Sequence, residues 1–82
     1  MDIYEIVGAI NKETKQTDEK SKKYIGKRVS FNMEFIEKGK SFTMKETEGI
    51  GYIKTSAVNN CLVDGNDVYI ETNNRIYKFS KR

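Results

Sequence analysis

The amino-acid sequence predicts a mainly β protein: a small, partly open antiparallel barrel of the SH3-like or OB-like kind, with about six strands and one long N-terminal loop. Three observations carry that expectation. Two β-rich runs flank Asn73-Asn74 and sort into two clean faces across a two-residue turn. Residues 28–35 alternate apolar and polar side chains without a break. Further short runs of this kind, separated by Gly- and Asn-bearing turns, fill the chain from residue 24 onward, as a nearly closed β architecture requires. A flat meander of such strands would leave long exposed edges in a small protein. At 82 residues the chain fits a single domain, 1–82.

Residues 2–10 satisfy two periods at once. Ile3, Ile6, Val7 and Ile10 fit helical spacing, whereas the β-branched content and Gly8 favour a strand. A strand is the expectation. Residues 11–23 contain no apolar side chain, so 11–24 is expected to be an exposed polar loop, and loops of that length in small domains are often functional.

Residues 28–35 give the clearest strand pattern. Val29, Phe31, Met33 and Phe35 point toward the core, and Arg28, Ser30, Asn32 and Glu34 toward solvent. Gly39 suits a turn position with positive φ. Residues 41–45 alternate again, which would place Phe35 opposite Phe42 and Met33 opposite Met44. Residues 50–58 read as a longer strand with a bend at Gly51, Asn59-Asn60 as a turn, 61–63 as a short strand and 64–66 as another turn.

The hairpin 67–80 closes the chain. Asn tolerates positive φ, so Asn73-Asn74 is expected to form a type I′ turn. Thr72 then faces Arg75, Glu71 faces Ile76, Ile70 faces Tyr77, Tyr69 faces Lys78 and Val68 faces Phe79. In this register Val68, Ile70, Tyr77 and Phe79 share the core face, and Tyr69, Glu71, Ile76 and Lys78 the outer face. A slip of one residue would exchange the faces.

Charge is unevenly distributed. The net charge is +3, but residues 20–28 alone carry +5 and residues 73–82 carry +4, the rest being acidic. If folded together, the two segments would form a basic patch. Candidate nucleic-acid- or anion-binding residues are therefore Lys20, Lys22, Lys23, Lys27, Arg28, Thr72, Asn74 and Arg75. Tyrosines interleave with them, and OB-like barrels stack single-stranded bases on aromatics beside such charges. Acidic stretches on either side argue instead for ordinary solvated faces.

Chemistry-bearing groups are sparse. There is no histidine, and the one cysteine, Cys61, lies in an apolar context and cannot form an intrachain disulfide. Without histidine a zinc site would need mostly carboxylates, and a thiol nucleophile would lack its usual base. Gly49-Ile50-Gly51 lacks the third glycine of a dinucleotide loop, and Asp64 and Asp67 are too few for a calcium loop. The expectation is a non-enzyme with no cofactor and no metal. No apolar run approaches the roughly 18 residues of a membrane span, and the N-terminus lacks a basic start and apolar core, so no membrane association and no secretory signal are expected. The expected compartment is the cytoplasm.

From Thr55 onward, about the last third of the chain, the sequence resembles a family of short bacterial and phage β-proteins of unassigned function. In that family a Thr-Ser-x-Val stretch is followed, after a Gly-bearing turn, by a strand ending Thr-x-Asn-x-x-Tyr. The matching residues are Thr55, Ser56 and Val58, then Thr72, Asn74 and Tyr77, while Ala57 and Arg75 stand where the family often has Pro and Ser. The resemblance implies a phage or mobile-element origin and transfers no catalytic residue.

These readings rank three functions. The first is a non-enzymatic protein-binding module that inhibits or modulates a host or defence protein, with Tyr24, Tyr69, Ile76 and Lys78 as partner contacts and self-association through edge strands as a further expectation. The second is a nucleic-acid-binding barrel using the two basic segments. The third is a sponge for a small anionic ligand such as a nucleotide, with Thr72, Asn74 and Arg75 at its rim.

Overall fold

The computed structural model describes residues 2–82. Its strands are β1 (Asp2–Asn11), β2 (Arg28–Phe31), β3 (Thr43–Glu46), β4 (Tyr52–Lys54), β5 (Val58–Asp64), β6 (Asp67–Thr72) and β7 (Arg75–Lys81), with one short helix, α1 (Glu19–Lys22), between β1 and β2. They form one open antiparallel sheet in the order β4-β3-β2-β1-β7-β6-β5. The mainly β expectation holds, with seven strands rather than about six.

β1 is the central strand, and a β-bulge explains its mixed periodicity. Ile6 pairs with Phe79 and Gly8 with Lys78, leaving Val7 as the extra residue. The inward set is therefore Tyr4, Ile6 and Ala9, each almost fully buried. The bulge converts a step of two into a step of three, and the set that fits helical spacing divides between the faces, with Ile6 buried and Ile3 and Val7 exposed.

The hairpin of β6 and β7 has the register that its alternation predicts, from Val68 opposite Phe79 to Glu71 opposite Ile76. Val68, Ile70, Tyr77 and Phe79 are buried. The turn chemistry is different. Neither asparagine has positive φ; Lys15 is the only non-glycine residue with positive φ among those described. A type I′ turn is thus excluded. The buried Thr72 hydroxyl bridges the turn instead, accepting from the Arg75 N–H (3.2 Å) and donating to the Arg75 carbonyl (3.0 Å).

Two further corrections share one cause, a short polar side chain capturing the backbone. β2 stops at Phe31 because the Asn32 side chain accepts the Glu34 N–H at 3.0 Å and caps a 3₁₀ turn, Met33–Phe35. Phe35 is consequently 76% exposed, and the proposed pairings of Phe35 with Phe42 and Met33 with Met44 do not form. Asn59-Asn60, expected as a turn, lies inside β5 at a register shift, with the Asn60 side chain accepting the Cys61 N–H at 2.9 Å. The strand expected over 50–58 divides accordingly into β4 and the start of β5, and Ile50 is exposed.

The inner face is dominated by aromatic rings that pack both face-on and edge-on. Phe31 contacts Tyr4, Phe79 and Phe42, with ring centroids 4.6, 5.1 and 5.4 Å away. Around them pack Ile6, Val29, Met44, Val58 and Ile70. Cys61 packs against the edge of this core, as its apolar context predicts, and burial pushes its thiol pKa up.

Residues 55–58 hold the two edges of the sheet together at one end. Toward β3, the Thr55 N–H donates to the Phe42 carbonyl (2.9 Å), and the Phe42 N–H donates to the Thr55 hydroxyl (3.2 Å). The Gly39 N–H donates to the Val58 carbonyl at 2.7 Å, a close approach made with Gly39 at φ +89°. Toward the β6–β7 turn, the Asn73 N–H donates to the Ala57 carbonyl (3.0 Å) and the Asn74 N–H to the Ser56 hydroxyl (3.2 Å). The Thr-Ser-x-Val stretch and the Thr-x-Asn-x-x-Tyr strand are thus two halves of one hydrogen-bonded corner.

Four stability outcomes are expected. Phe79→Ala should cost roughly 3–5 kcal/mol, as a buried aromatic does, whereas Phe35→Ala should stay within about 0.5 kcal/mol. Thr72→Val should cost about 1–3 kcal/mol by stranding the Arg75 N–H, and Asn74→Gly should cost about 0.5–1 kcal/mol rather than stabilise, because no positive φ is relieved. Urea midpoints measure all four. A stabilising Asn74→Gly would restore the type I′ turn.

Candidate functional site

Residues 11–24, expected to be an exposed loop, are anchored to the sheet along their length. The Asn11 side chain accepts the Glu13 and Thr14 N–H groups and donates to Asp18 at 3.1 Å. The Thr17 hydroxyl donates to the Ala9 carbonyl at 3.1 Å. Asp18 then caps α1, accepting the Ser21 N–H at 2.8 Å.

This cap places Ser21 in the interior, fully buried, where its hydroxyl accepts the Arg75 Nε–H at 3.0 Å. Tyr24 follows, packing edge-on against Tyr77 at 5.8 Å, and the Arg75 guanidinium lies over the Tyr24 ring at 5.3 Å. Burial raises the Tyr77 pKa, with Arg75 opposing the rise. Asp18 is held down to about 2, first by hydrogen bonds from the Ser21 hydroxyl and N–H, then by Asn11 and the nearby Arg75 charge.

The result is an open cleft of about 520 Å³ between α1 and the β6–β7 turn. Lys20, Lys23 and Arg75 supply its positive charge, Tyr24, Asn73, Asn74 and Asn11 its neutral wall, and Glu13 and Asp18 its negative charge. Sequence reasoning named Lys20, Lys23, Tyr24, Asn74 and Arg75, and the fold brings these five together. Asn11, Glu13, Asp18 and Asn73 went unnoticed, although Asp18 followed by Glu19 carries a helix-start signature.

The other basic candidates go elsewhere. Lys22 pairs with Glu19, Lys27 with Glu46 at 2.7 Å, and Arg28 with Glu5, which also takes Arg82. Lys81 pairs with Asp2. The +5 and +4 segments therefore do not merge into a continuous basic track. Thr72 is buried and its hydroxyl is engaged in the turn, so it is no rim donor.

Of the partner-contact candidates, Tyr24 packs against the core and is not a free contact. Tyr69, Ile76 and Lys78 lie on the outer face, as the register requires, but are half-buried; the Lys78 ammonium covers the Tyr69 ring at 5.5 Å. Tyr69 and Ile76 line a groove of about 240 Å³ with Leu62 of β5. The most exposed large apolar groups were missed from sequence: Leu62 and Val63 on β5, Tyr52 on β4, and Phe35 and Ile50. Asn32, read as a capping residue, would have found Phe35.

Among the described residues no helix is long and apolar enough to cross a membrane, and no three His, Cys, Asp or Glu side chains gather as metal ligands. No protein-family model matches the chain, and neither a curated protein nor a solved structure matches it.

The Asp18 cap has a pH signature. Its folded pKa of about 2 lies below the ordinary 3.8, so the carboxylate stabilises α1 above the ordinary value, and that contribution fades as pH falls through about 2. The Ser21 amide resonance should titrate with a midpoint near the lower value. A midpoint at the ordinary value would mean that the cap is not formed.

Proposed function

We propose that this chain is a non-enzymatic protein-binding module of phage or mobile-element origin. It acts in the cytoplasm as an inhibitor or modulator of a host or defence protein, using its β5 edge and the adjoining outer face. One observation carries the reading. Strand β5 has a neighbour, β6, on one side only, and Leu62 and Val63 stand on it 61% and 58% exposed. Native edges are usually blunted by lysine, proline, a β-bulge or a covering loop; β5 contains neither lysine nor proline, and its register shift is confined to its start, between Val58 and Asn60. Residues 38–40 cover only its first residue, Val58.

The Asn60 side chain already holds the Cys61 N–H, so a partner strand laid along residues 61–64 would gain main-chain hydrogen bonds from the rest of that edge, and selectivity from the groove of Leu62, Tyr69 and Ile76. The same edge offers a route to self-association. The origin rests on the resemblance of the segment from Thr55 onward. The curl of the sheet, with residues 38–42 running along residues 55–58, supports assignment to the small partly open barrels of SH3-like or OB-like kind. The dispersal of the basic side chains into separate ion pairs gives a nucleic-acid track less support.

The double variant Leu62→Lys with Val63→Lys tests this reading. It should keep the wild-type denaturation midpoint, since both side chains are exposed, and lose the protein that the wild type captures from host lysate. The triple change of Lys20, Lys22 and Lys23 to Ser should retain it. Equal capture by the β5 variant would move the interface off this edge.

A further inference from the structure

The cleft between α1 and the β6–β7 turn has no part in an interaction at the β5 edge. We infer that it is a binding site for a small phosphate-bearing ligand of nucleotide size. Three features of the cleft support the inference, and none depends on the edge.

The first is charge. Lys20, Lys23 and Arg75 line the cleft, and among the described residues none of them forms an ion pair; other unpaired lysines, such as Lys15, Lys38 and Lys54, do not line it. Three cations without an ion-pair contact therefore face one cavity from two segments far apart in sequence, with the Asp18 charge close to Arg75.

The second is preorganisation. Arg75 is fixed through Nε to the buried Ser21 hydroxyl, with its guanidinium carbon 5.3 Å from the centre of the Tyr24 ring. Ser21 is in turn positioned by Asp18, and Asn73 and Asn74 by Ala57 and Ser56. A fixed guanidinium loses little freedom when an anion arrives, and its planar donor array suits phosphate oxygens.

The third is size and composition. About 520 Å³ falls within the range of small-molecule sites. The carboxylates of Glu13 and Asp18 also line it, so the cleft holds three positive charges against two negative. That balance disfavours a bare polyanion and favours a ligand with an anionic group at one end and hydrogen-bond donors at the other. A nucleotide has both: phosphate for Lys20, Lys23 and Arg75, and sugar hydroxyls or base amino groups for the carboxylates of Glu13 and Asp18.

An amide chemical-shift titration of the full chain tests the inference, using the four ribonucleoside monophosphates, the matching nucleosides, inorganic pyrophosphate and a short single-stranded oligonucleotide as probes. At least one monophosphate should bind with shifts centred on Lys20, Lys23, Tyr24 and residues 73–75. It should bind at least tenfold more tightly than its nucleoside and more tightly than pyrophosphate. Arg75→Gln should weaken it by roughly tenfold to a hundredfold, the worth of a hydrogen bond to a charged group. Because Arg75 also holds Ser21 and Tyr24, the double variant Lys20→Gln with Lys23→Gln, confined to exposed side chains, should weaken binding with an unchanged denaturation midpoint. The inference is overturned if no monophosphate shifts these amides, if nucleoside and monophosphate bind equally, or if pyrophosphate binds as tightly as the best monophosphate. It is also overturned if the lysine pair is without effect, or if only the oligonucleotide binds, with shifts spread beyond the cleft.

Discussion

Residues 55–58 form the corner on which the arrangement of this molecule depends. In a sheet ordered β4-β3-β2-β1-β7-β6-β5, the two edge strands are neighbours in sequence, joined by this segment. Its backbone and hydroxyls reach both ways: to Gly39, Lys40 and Phe42 on one side, and to Asn73 and Asn74 on the other. Each bond is worth only about 0.5–1.5 kcal/mol net, but an unpartnered buried N–H would cost more. Through the corner, residues 39–42 and the β6–β7 turn are tied to one segment at one end of the sheet.

The two proposed surfaces follow from the corner by exclusion and by placement. Val58 is covered by residues 38–40, so the open part of the β5 edge begins beyond it and ends at the hairpin into β6, where Leu62 and Val63 stand exposed. The Asn73–Asn74 turn is pinned by Ala57 and Ser56, which directs Arg75 toward Ser21 and Tyr24 and sets one wall of the cleft. The opposite wall comes from residues 11–24, which contribute almost nothing apolar and are held by the Asn11 and Asp18 side chains instead. Hydrophobic packing therefore fixes the sheet, and short polar side chains fix what lies at its rim.

That division also determines how much of the molecule was legible in the sequence. The hairpin register and its buried face could be read because period-two alternation maps directly onto burial, as Val68, Ile70, Tyr77 and Phe79 show. β1 was ambiguous because its bulge at Val7 breaks the period that strand recognition relies on. Phe35 was assigned to the core because alternation ran on past Phe31, while one Asn32 hydrogen bond, invisible to periodicity, ended the strand. The cleft was half legible. Its cations stood out as charge runs, but which of them would be neutralised depended on partners distant in sequence, such as Glu46 for Lys27 and Glu5 for Arg28. The Thr-Ser-x-Val and Thr-x-Asn-x-x-Tyr residues were visible as a pattern, and only the three-dimensional pairing of Ser56 with Asn74 gives that pattern a physical meaning.

The most direct measurement of the corner is native-state hydrogen exchange at the amides it engages. Gly39, Phe42, Thr55 and Val58 on one side, and Asn73 and Asn74 on the other, donate into or across it. If the corner closes the sheet, these amides exchange only on global unfolding, with the same free energy as Ile70 and Phe79 in the core. If Asn73 and Asn74 exchange at free-loop rates while the core amides remain protected, the β6–β7 turn is not held by residues 55–58. The account of how this chain positions its cleft would then be wrong.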